Sequence, residues 1–176
     1  VFGYGIFYIG RLTISVAKKP MMDAGILDAT ELGVIGSLLF YTYAFGKLTN
    51  GFLADRANIA KFMSTGLFIS AIVNLIFGFT TSFWVFAILW AINGWFQSMG
   101  SAPAVVSVTQ WFSNKERGTY YGIWAASHNI GEGLTFIGTA TVISIWGWRA
   151  GFIVPGAICF IVAIILSKTL QDRPET

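Results

Sequence analysis

Four ionisable side chains lie inside strongly apolar stretches of this sequence: Arg11, Lys47, His128 and Glu132. Ionisable groups at membrane depth are rare, face a bundle interior or a water-filled cavity, and mark functional sites by default. This set contains two cations, one carboxylate and an imidazole that can become cationic, which favours an anion as the ligand. Because the Arg guanidinium presents a planar fork of donors that matches phosphate or carboxylate oxygens, we expect an oxyanion site.

Arg11 shares one helical face with other polar side chains. The face consists of four residues at spacings of four, three and four: Tyr4, Tyr8, Arg11 and Ser15. Snorkelling of the long Arg11 side chain to the lipid headgroups is the alternative. A polar stripe fits the wall of a wet cavity better than a lipid-facing surface, so we predict that this face lines a cavity.

Lys47 has a comparable setting in the second apolar stretch. Tyr43 at i−4 and Asn50 at i+3 lie on its helical face. Lys47 is also close enough to the charged segment that follows for its side chain to snorkel toward the cytoplasm. The pattern therefore predicts either a cavity residue that binds substrate and balances charge, or a snorkelling lysine.

His128 and Glu132 lie one helical turn apart, with Asn129 beside the histidine. Such a pair inside a bundle is either structural or part of a ligand site. Gly131 and Gly133 flank the carboxylate, at positions where a ligand or another backbone could come close. We predict a functional site in which His128 and Asn129 contact the substrate, and Glu132 serves in charge balance or proton coupling.

A further pair of amide side chains, Asn93 and Gln97, is spaced i and i+4 in the fourth apolar stretch. These amides either contact a ligand or form hydrogen bonds between helices, which contribute about 0.6 kcal/mol on average in membranes. Both interpretations stay open, and Gln97 is included among the predicted substrate-binding residues.

The composition indicates that the surroundings of this chain are largely lipid. Of its 176 residues, 55% are hydrophobic, 16% aromatic and only 11% charged, against about 25% charged in soluble domains. The net charge of +3 comes from scattered Lys and Arg with no basic face, so a nucleic-acid partner is not expected. The single cysteine, Cys159, permits no intrachain disulfide and is predicted to pack. The sequence opens in apolar residues without an initiator Met, so Val1 is interpreted as a cut edge of a fragment.

The sequence predicts an all-α membrane protein. A helix needs roughly 20 mostly apolar residues to cross a bilayer, and six segments meet this requirement. They are Val1–Ala17, Leu32–Leu53, Phe62–Phe79, Phe83–Phe112, Thr119–Ile145 and Gly147–Leu170. The second has a start signal, because Asp28 or Thr30 can cap it and Glu31 lies in its first turn.

The distribution of Lys and Arg predicts the orientation of these spans. If the first span runs outward, the inner loops and tail hold six basic residues: Arg56, Lys61, Lys115, Arg117, Lys168 and Arg173. The outer loops then hold three: Lys18, Lys19 and Arg149. The positive-inside rule therefore predicts that both ends of the segment are cytoplasmic.

The segment "GFLADRANIAKF" resembles the loop between the second and third helices of the major facilitator superfamily. Its signature places a Gly, here Gly51, four and five residues before an Asp-Arg pair, here Asp55 and Arg56. The resemblance implies that Gly51 permits close packing, whereas Asp55 and Arg56 cap helix ends and form charge contacts that hold one conformational state. It further implies that residues 1–176 form the N-terminal six-helix bundle of a twelve-helix fold, completed by a C-terminal half.

Within that superfamily, the sequence most resembles the organophosphate:phosphate antiporters. The segments that carry the resemblance are "FGYGIFYIGR", "FGKLTNGFLADRAN", "NGWFQSMG", "WFSNKERG" and "WAASHNIGEG". The resemblance implies that Arg11 binds phosphate beside the aromatic Tyr4 and Tyr8, with Lys47 and His128 also at the site. The sequence departs from the family pattern at Gly100–Pro103 and at Glu132, where the family often has glycine.

The resemblance implies secondary transport of a small organophosphate, such as a sugar phosphate or glycerol phosphate, in exchange for inorganic phosphate across the bacterial inner membrane. Two alternatives stay open: a membrane sensor for sugar phosphates, and a carrier of another organic anion coupled to protons. No nucleophile–base pair, metal cluster or phosphate loop is visible, so neither an enzyme nor a cofactor is predicted. The expected partners are the anionic substrate, the lipid bilayer and the C-terminal half of the same protein.

Overall fold

A computed structural model describes the backbone of residues 2–171 and the side chains of residues 3–171. Val1 and residues 172–176 lie outside this range, and with them Arg173 of the predicted cytoplasmic tail. The described residues form α-helices joined by short turns, which confirms the all-α fold. The helices are α1 (Phe2–Asp23), α2 (Ala29–Ala54), α3 (Ile59–Phe79), α4 (Phe83–Gln97), α5 (Ser101–Trp111), α6 (Arg117–Trp146) and α7 (Ala150–Thr169).

The predicted fourth span is not one helix, because a turn at residues 98–100 separates α4 from α5. In that turn the backbone amides of Ser98, Met99 and Gly100 bond three residues back, at 3.1 to 3.3 Å, which winds the chain more tightly than an α-helix. Pro103 has no backbone N–H and its ring crowds the preceding turn. The expectation of a continuous helix over 83–112 was therefore wrong at this point.

Helix α1 continues six residues beyond the predicted end at Ala17, so Lys18 and Lys19 lie in the helix rather than in a loop. The helix stops at Gly25, whose φ of +70° favours glycine. Gly25 and Ile26 donate to the carbonyls of Met22 and Met21, at 3.0 and 3.1 Å. These two bonds form a Schellman motif, which satisfies carbonyls that the helix end would otherwise leave unpaired.

The predicted start signal of α2 is confirmed as a capping box. The Asp28 side chain accepts from the Glu31 backbone N–H at 2.7 Å, and Glu31 accepts from the Asp28 backbone at 3.0 Å. Asn58 caps α3 in a similar way, because its side chain accepts from the backbone N–H of Lys61 at 2.9 Å. Both caps satisfy backbone donors and fix where the helices begin after their turns.

Three helix pairs make the most extensive contacts: α3 with α7, α2 with α4, and α1 with α6. Fully buried aromatic rings form the core between α3, α4 and α7, where Phe77 lies 4.3 Å from both Phe86 and Phe152 between ring centres. A second cluster surrounds Cys159, which is buried as predicted. The contact of α1 with α6 is tightest where Gly131 meets Gly5, since a Cβ on Gly131 would lie 2.9 Å from the Gly5 carbonyl oxygen.

Two of the described helices, α3 and α7, are long and apolar enough by themselves to cross a membrane. The predicted first, second and fifth spans correspond to α1, α2 and α6, which carry the ionisable residues discussed above. Large apolar side chains on α2 and α6 are exposed, among them Phe40, Phe45, Phe52, Ile130 and Ile137. The count of six membrane spans stays a prediction.

Candidate anion site

Arg11 is half-buried, with its guanidinium between two aromatic rings. Its terminal carbon lies 4.2 Å from the centre of the Tyr8 ring and 4.8 Å from the centre of the Tyr43 ring. Tyr8 lies one turn back on α1 and Tyr43 comes from α2, so the two helices hold the cation together. Cation–π contacts of this kind contribute about 0.5 to 2 kcal/mol each.

Lys47 is exposed on α2, and its ammonium lies 5.0 Å from the centre of the same Tyr43 ring. Arg11 and Lys47 therefore share one aromatic neighbour, which brings the two cations to one side of the bundle. Asn50, which was predicted to share this polar face, is fully buried instead. Its side chain donates to the Trp95 carbonyl at 3.2 Å and to Ser98 at 2.6 Å, so it ties α2 to the break between α4 and α5.

His128 on α6 is joined to α1 through a tyrosine pair. Its Nδ1 contacts the hydroxyl of Tyr8, and the two rings meet edge to face at 4.5 Å between centres. The Tyr8 hydroxyl lies 3.1 Å from the hydroxyl of Tyr4. The Tyr8 ring therefore contacts Arg11, and the Tyr8 hydroxyl contacts His128. These contacts bring the predicted residues of α1 and α6 together.

Glu132 pairs with His128, with 3.8 Å between its Oε2 and the histidine Nε2. Within residues 3–171, neither Arg11 nor Lys47 has a carboxylate within ion-pair distance. Glu132 therefore pairs with His128 and not with Arg11 among the described residues, and its role in charge balance or proton coupling stays a prediction. Asn129, the adjacent predicted ligand, is exposed on the same helix.

The predicted stripe of α1 is not uniformly exposed to a cavity. Tyr4 and Tyr8 are only 6% and 3% exposed, whereas Arg11 is half-buried and Ser15 is exposed. Tyr4 packs on Trp124 of α6 at 5.0 Å between ring centres. Both tyrosines are therefore buried: Tyr8 contacts Arg11 and His128, and Tyr4 contacts the Tyr8 hydroxyl. Their predicted contact with the substrate stays a prediction.

Gln97 does not lie in the site. It is 2% exposed, and its Nε2 donates to Ser70 at 2.5 Å, within the contact between α3 and α4. Asn93 is also fully buried and donates to the Gly10 carbonyl at 3.0 Å, as does Asn74. Of the two interpretations left open for these amides, the structure shows hydrogen bonding between helices, and contact of Gln97 with the substrate stays a prediction that its burial does not favour.

The loop motif lies at the end of α2, where Asp55 is the C-cap residue and Arg56 follows in the turn. A Cβ added to Gly51 would meet nothing within 4 Å among the described residues, so the expected close packing at Gly51 is not made by that part of the chain. A cavity of about 600 Å³ runs between α2, α5 and α6 and is lined by Lys47, Gly51 and Asp55, with Trp124 on its α6 side. The cavity therefore reaches from the motif to Lys47, whereas Arg11 does not line it.

Two aromatic side chains make contacts in the site that were not predicted from the sequence. Tyr43 was placed on the face of Lys47 by its i−4 spacing, yet nothing in the sequence indicated that its ring would also meet Arg11. Trp124, which supports Tyr4 and lines the cavity, gave no signal beyond being an aromatic residue in an apolar stretch. Among the described residues, no three of His, Cys, Asp and Glu come together in a way that could hold a metal ion.

The described residues form a helical bundle in which the cations Arg11 and Lys47 lie against the same aromatic ring, that of Tyr43. The whole sequence, residues 1–176, matches the family model described as Major Facilitator Superfamily. A solved structure of a bacterial homologue of the human lysosomal transporter Spinster, in an inward-facing and unoccupied conformation, superposes with a TM-score of 0.85. That match covers 99% of this chain and 42% of the other at 21% identity, and it shows the fold alone.

Curated relatives are similar over the same range. The chain is 39% identical over 175 residues to a "Probable hexose phosphate transport protein" of Chlamydia muridarum, covering 99% of this chain and 38% of that protein. It is 37% identical over 173 residues to "Membrane sensor protein UhpC" of Escherichia coli, with coverage of 98% and 39%. It is 35% identical over 182 residues to a "Glycerol-3-phosphate transporter" of Bacillus subtilis, with coverage of 99% and 40%.

The chain belongs to the major facilitator superfamily, as its loop motif predicted. It spans about two-fifths of the length of these relatives. The matched proteins are named as carriers or sensors, and the chain is a helical membrane protein of their family.

Proposed function

We propose that the complete protein exchanges a small organophosphate for inorganic phosphate, and that this chain is its N-terminal six-helix half. The observation that carries the proposal is the placement of Arg11. Its guanidinium is held between Tyr8 and Tyr43 and has no carboxylate partner among the described residues. Arg carries five N–H donors in a planar fork, so contacts with two tyrosines leave donors for the oxygens of a phosphate group.

The neighbours of Arg11 supply the remaining chemistry expected of a phosphate site. Lys47, against the same Tyr43 ring, adds a second positive charge. His128 contacts Tyr8 through Nδ1, which leaves its half-exposed Nε2 edge directed toward Glu132. These groups come from α1, α2 and α6, so a bound phosphate would draw three helices together. A further cation from the other half would complete the site, and rocking of the halves would give alternating access.

The relatives support the same substrate class. Two of those described above are named as transporters of hexose phosphate and glycerol-3-phosphate. Asp55 and Arg56 are proposed to make charge contacts that hold one state of the transport cycle, with Gly51 packing against the other half. We also propose a location in the bacterial inner membrane, with both ends of this segment in the cytoplasm.

A second candidate function is a receptor that binds sugar phosphates and signals without carrying them. It is favoured by the 37% identity to the protein named as a membrane sensor. Both candidates use the same binding residues, so the site alone does not separate them. Counterflow does separate them, because a receptor binds its ligand without exchanging it across the membrane.

The test is exchange of labelled phosphate against hexose phosphate or glycerol phosphate in vesicles that contain the complete protein. We expect exchange by the parent protein and a large loss with Arg11→Lys, because an ammonium is a point charge without the planar fork. Arg149→Lys is the matched control, since Arg149 donates to the Gly78 carbonyl at 2.9 Å, away from the site. Parental exchange by Arg11→Lys would exclude the bidentate clamp, and binding without exchange would favour the receptor.

A further inference from the structure

Glu132 places a negative charge at the edge of a site for anions. That charge opposes anion binding unless the carboxylate itself makes a favourable contact with the ligand. Its side chain is 41% exposed and that of His128 is 43% exposed. The 3.8 Å between His128 Nε2 and Glu132 Oε2 exceeds the usual hydrogen-bond range of about 2.7 to 3.2 Å. The pair is therefore accessible and loosely joined, and the oxygen atom of a ligand could bond to both groups.

A series of side-chain contacts connects Arg11 to Glu132. Arg11 lies 4.2 Å over the Tyr8 ring, that ring lies 4.5 Å from the His128 ring, and His128 lies 3.8 Å from Glu132. A phosphate on Arg11 would thus be separated from the Glu132 carboxylate by two intervening side chains. The organic part of a phosphate ester extends away from the phosphorus over several bonds, so its hydroxyls can meet groups other than those that hold the phosphate.

We propose that Glu132 binds the hydroxyl groups of the organic part of the substrate, so that the site selects polyol phosphates over phosphate esters without hydroxyls. A carboxylate is an acceptor with two oxygens, which suits the donor hydroxyls of a sugar or a polyol. Hydrogen bonds to a charged group are stronger than those between neutral groups. The proposal rests on the proposed function, because it requires phosphate to bind at Arg11.

The interpretation of Glu132 as a charge-balancing group makes a different prediction. A carboxylate that acts only through its charge repels every phosphate compound to a similar extent. Its removal would then improve the binding of all of them and leave their relative affinities unchanged. A carboxylate that serves only in proton coupling likewise changes the transport of all substrates alike. It gives no preference for substrates with hydroxyl groups.

The experiment measures the affinity of the complete, detergent-solubilised protein for glycerol 3-phosphate and for propyl phosphate. These esters have the same carbon count, but propyl phosphate lacks both free hydroxyls. In the parent protein we expect glycerol 3-phosphate to bind about tenfold to a hundredfold more tightly. In Glu132→Gln this preference should fall to a few-fold or less. The ratio of the two affinities cancels any uniform change in electrostatic repulsion.

Glu116→Gln is the matched control. Glu116 is the N-cap residue of α6, is exposed, and accepts a hydrogen bond from the Ser113 hydroxyl at 2.8 Å. It should keep the parental preference, whereas Glu132→Asp should give an intermediate one, since the charge stays and the reach shortens. An unchanged ratio in Glu132→Gln, with both esters binding, overturns this inference and leaves the proposed function intact. If the parent protein binds neither ester nor inorganic phosphate, both proposals fail.

Discussion

The guanidinium of Arg11 lies 4.8 Å from the centre of the Tyr43 ring, across the boundary between α1 and α2. The Lys47 ammonium lies 5.0 Å from the centre of the same ring. Arg11 and Lys47 carry like charges, and the negative face of the aromatic ring that both contact offsets part of the repulsion between them. Tyr43 therefore makes it possible for both charges to remain close together before an anion arrives.

Replacement of Tyr43 by Leu should weaken binding of inorganic phosphate by the complete protein. The ring contributes about 0.5 to 2 kcal/mol to each cation contact, so we expect a loss of about twofold to thirtyfold in affinity. Tyr43→Phe should bind nearly as well as the parent, because it keeps the ring. Tyr41→Leu is the control, since Tyr41 is 76% exposed on the same helix. Equal losses in Tyr43→Phe and Tyr43→Leu would show that the hydroxyl matters rather than the ring.

The contact between α1 and α6 should be sensitive to a single methyl group at Gly131. A Cβ there would lie 2.9 Å from the Gly5 carbonyl oxygen, so Gly131→Ala should force the helices apart and cost about 1 to 3 kcal/mol of stability. Gly138→Ala, in the same helix, meets nothing within 4 Å and should gain up to about 1 kcal/mol from helix propensity. Thermal unfolding in detergent checks both, and similar midpoints for the two variants would contradict the packing described.

Replacement of Gln97 by Met should leave phosphate affinity within about twofold of the parent. Gln97 is 2% exposed, and its Oε1 has no hydrogen-bond partner among the described residues. We therefore expect a change in stability of only about 1 kcal/mol. The matched variant is Lys47→Met, which places the same side chain in the site and should lower affinity about tenfold or more. A large loss of phosphate affinity in Gln97→Met would show that Gln97 does contact the substrate.

The proposed orientation can be tested with single cysteines, because the native Cys159 is fully buried and can be changed to Ala. A membrane-impermeant maleimide should label Thr81→Cys in intact cells, since Thr81 is exposed between α3 and α4 on the predicted outer side. Asn114→Cys, exposed between α5 and α6, should be labelled only after permeabilisation. The opposite pattern would mean that the segment is inverted relative to the positive-inside prediction.

The helical fold and most helix boundaries could be predicted from local signals. The capping box at Asp28 and the apolar lengths are properties of neighbouring residues, so they can be read along the chain. The break at 98–100 was missed, although Gly100 and Pro103 are visible, because apolar composition alone does not distinguish one long helix from two. The extension of α1 past Lys18 was missed because the apolar run ends at the Lys pair, although the helix continues to the Schellman motif at Gly25.

By itself, the sequence determined that Arg11, Lys47, His128 and Glu132 are polar groups in an apolar solvent, and hence that they mark a site. The tertiary structure decided which of them meet. Helical periodicity orders residues on one helix, but the contacts of Tyr43 with Arg11 and of Tyr8 with His128 join different helices. The pairing of Glu132 with His128 is local to α6, whereas the packing of the helices leaves Arg11 without a carboxylate partner among the described residues. The burial of Gln97 follows from it too.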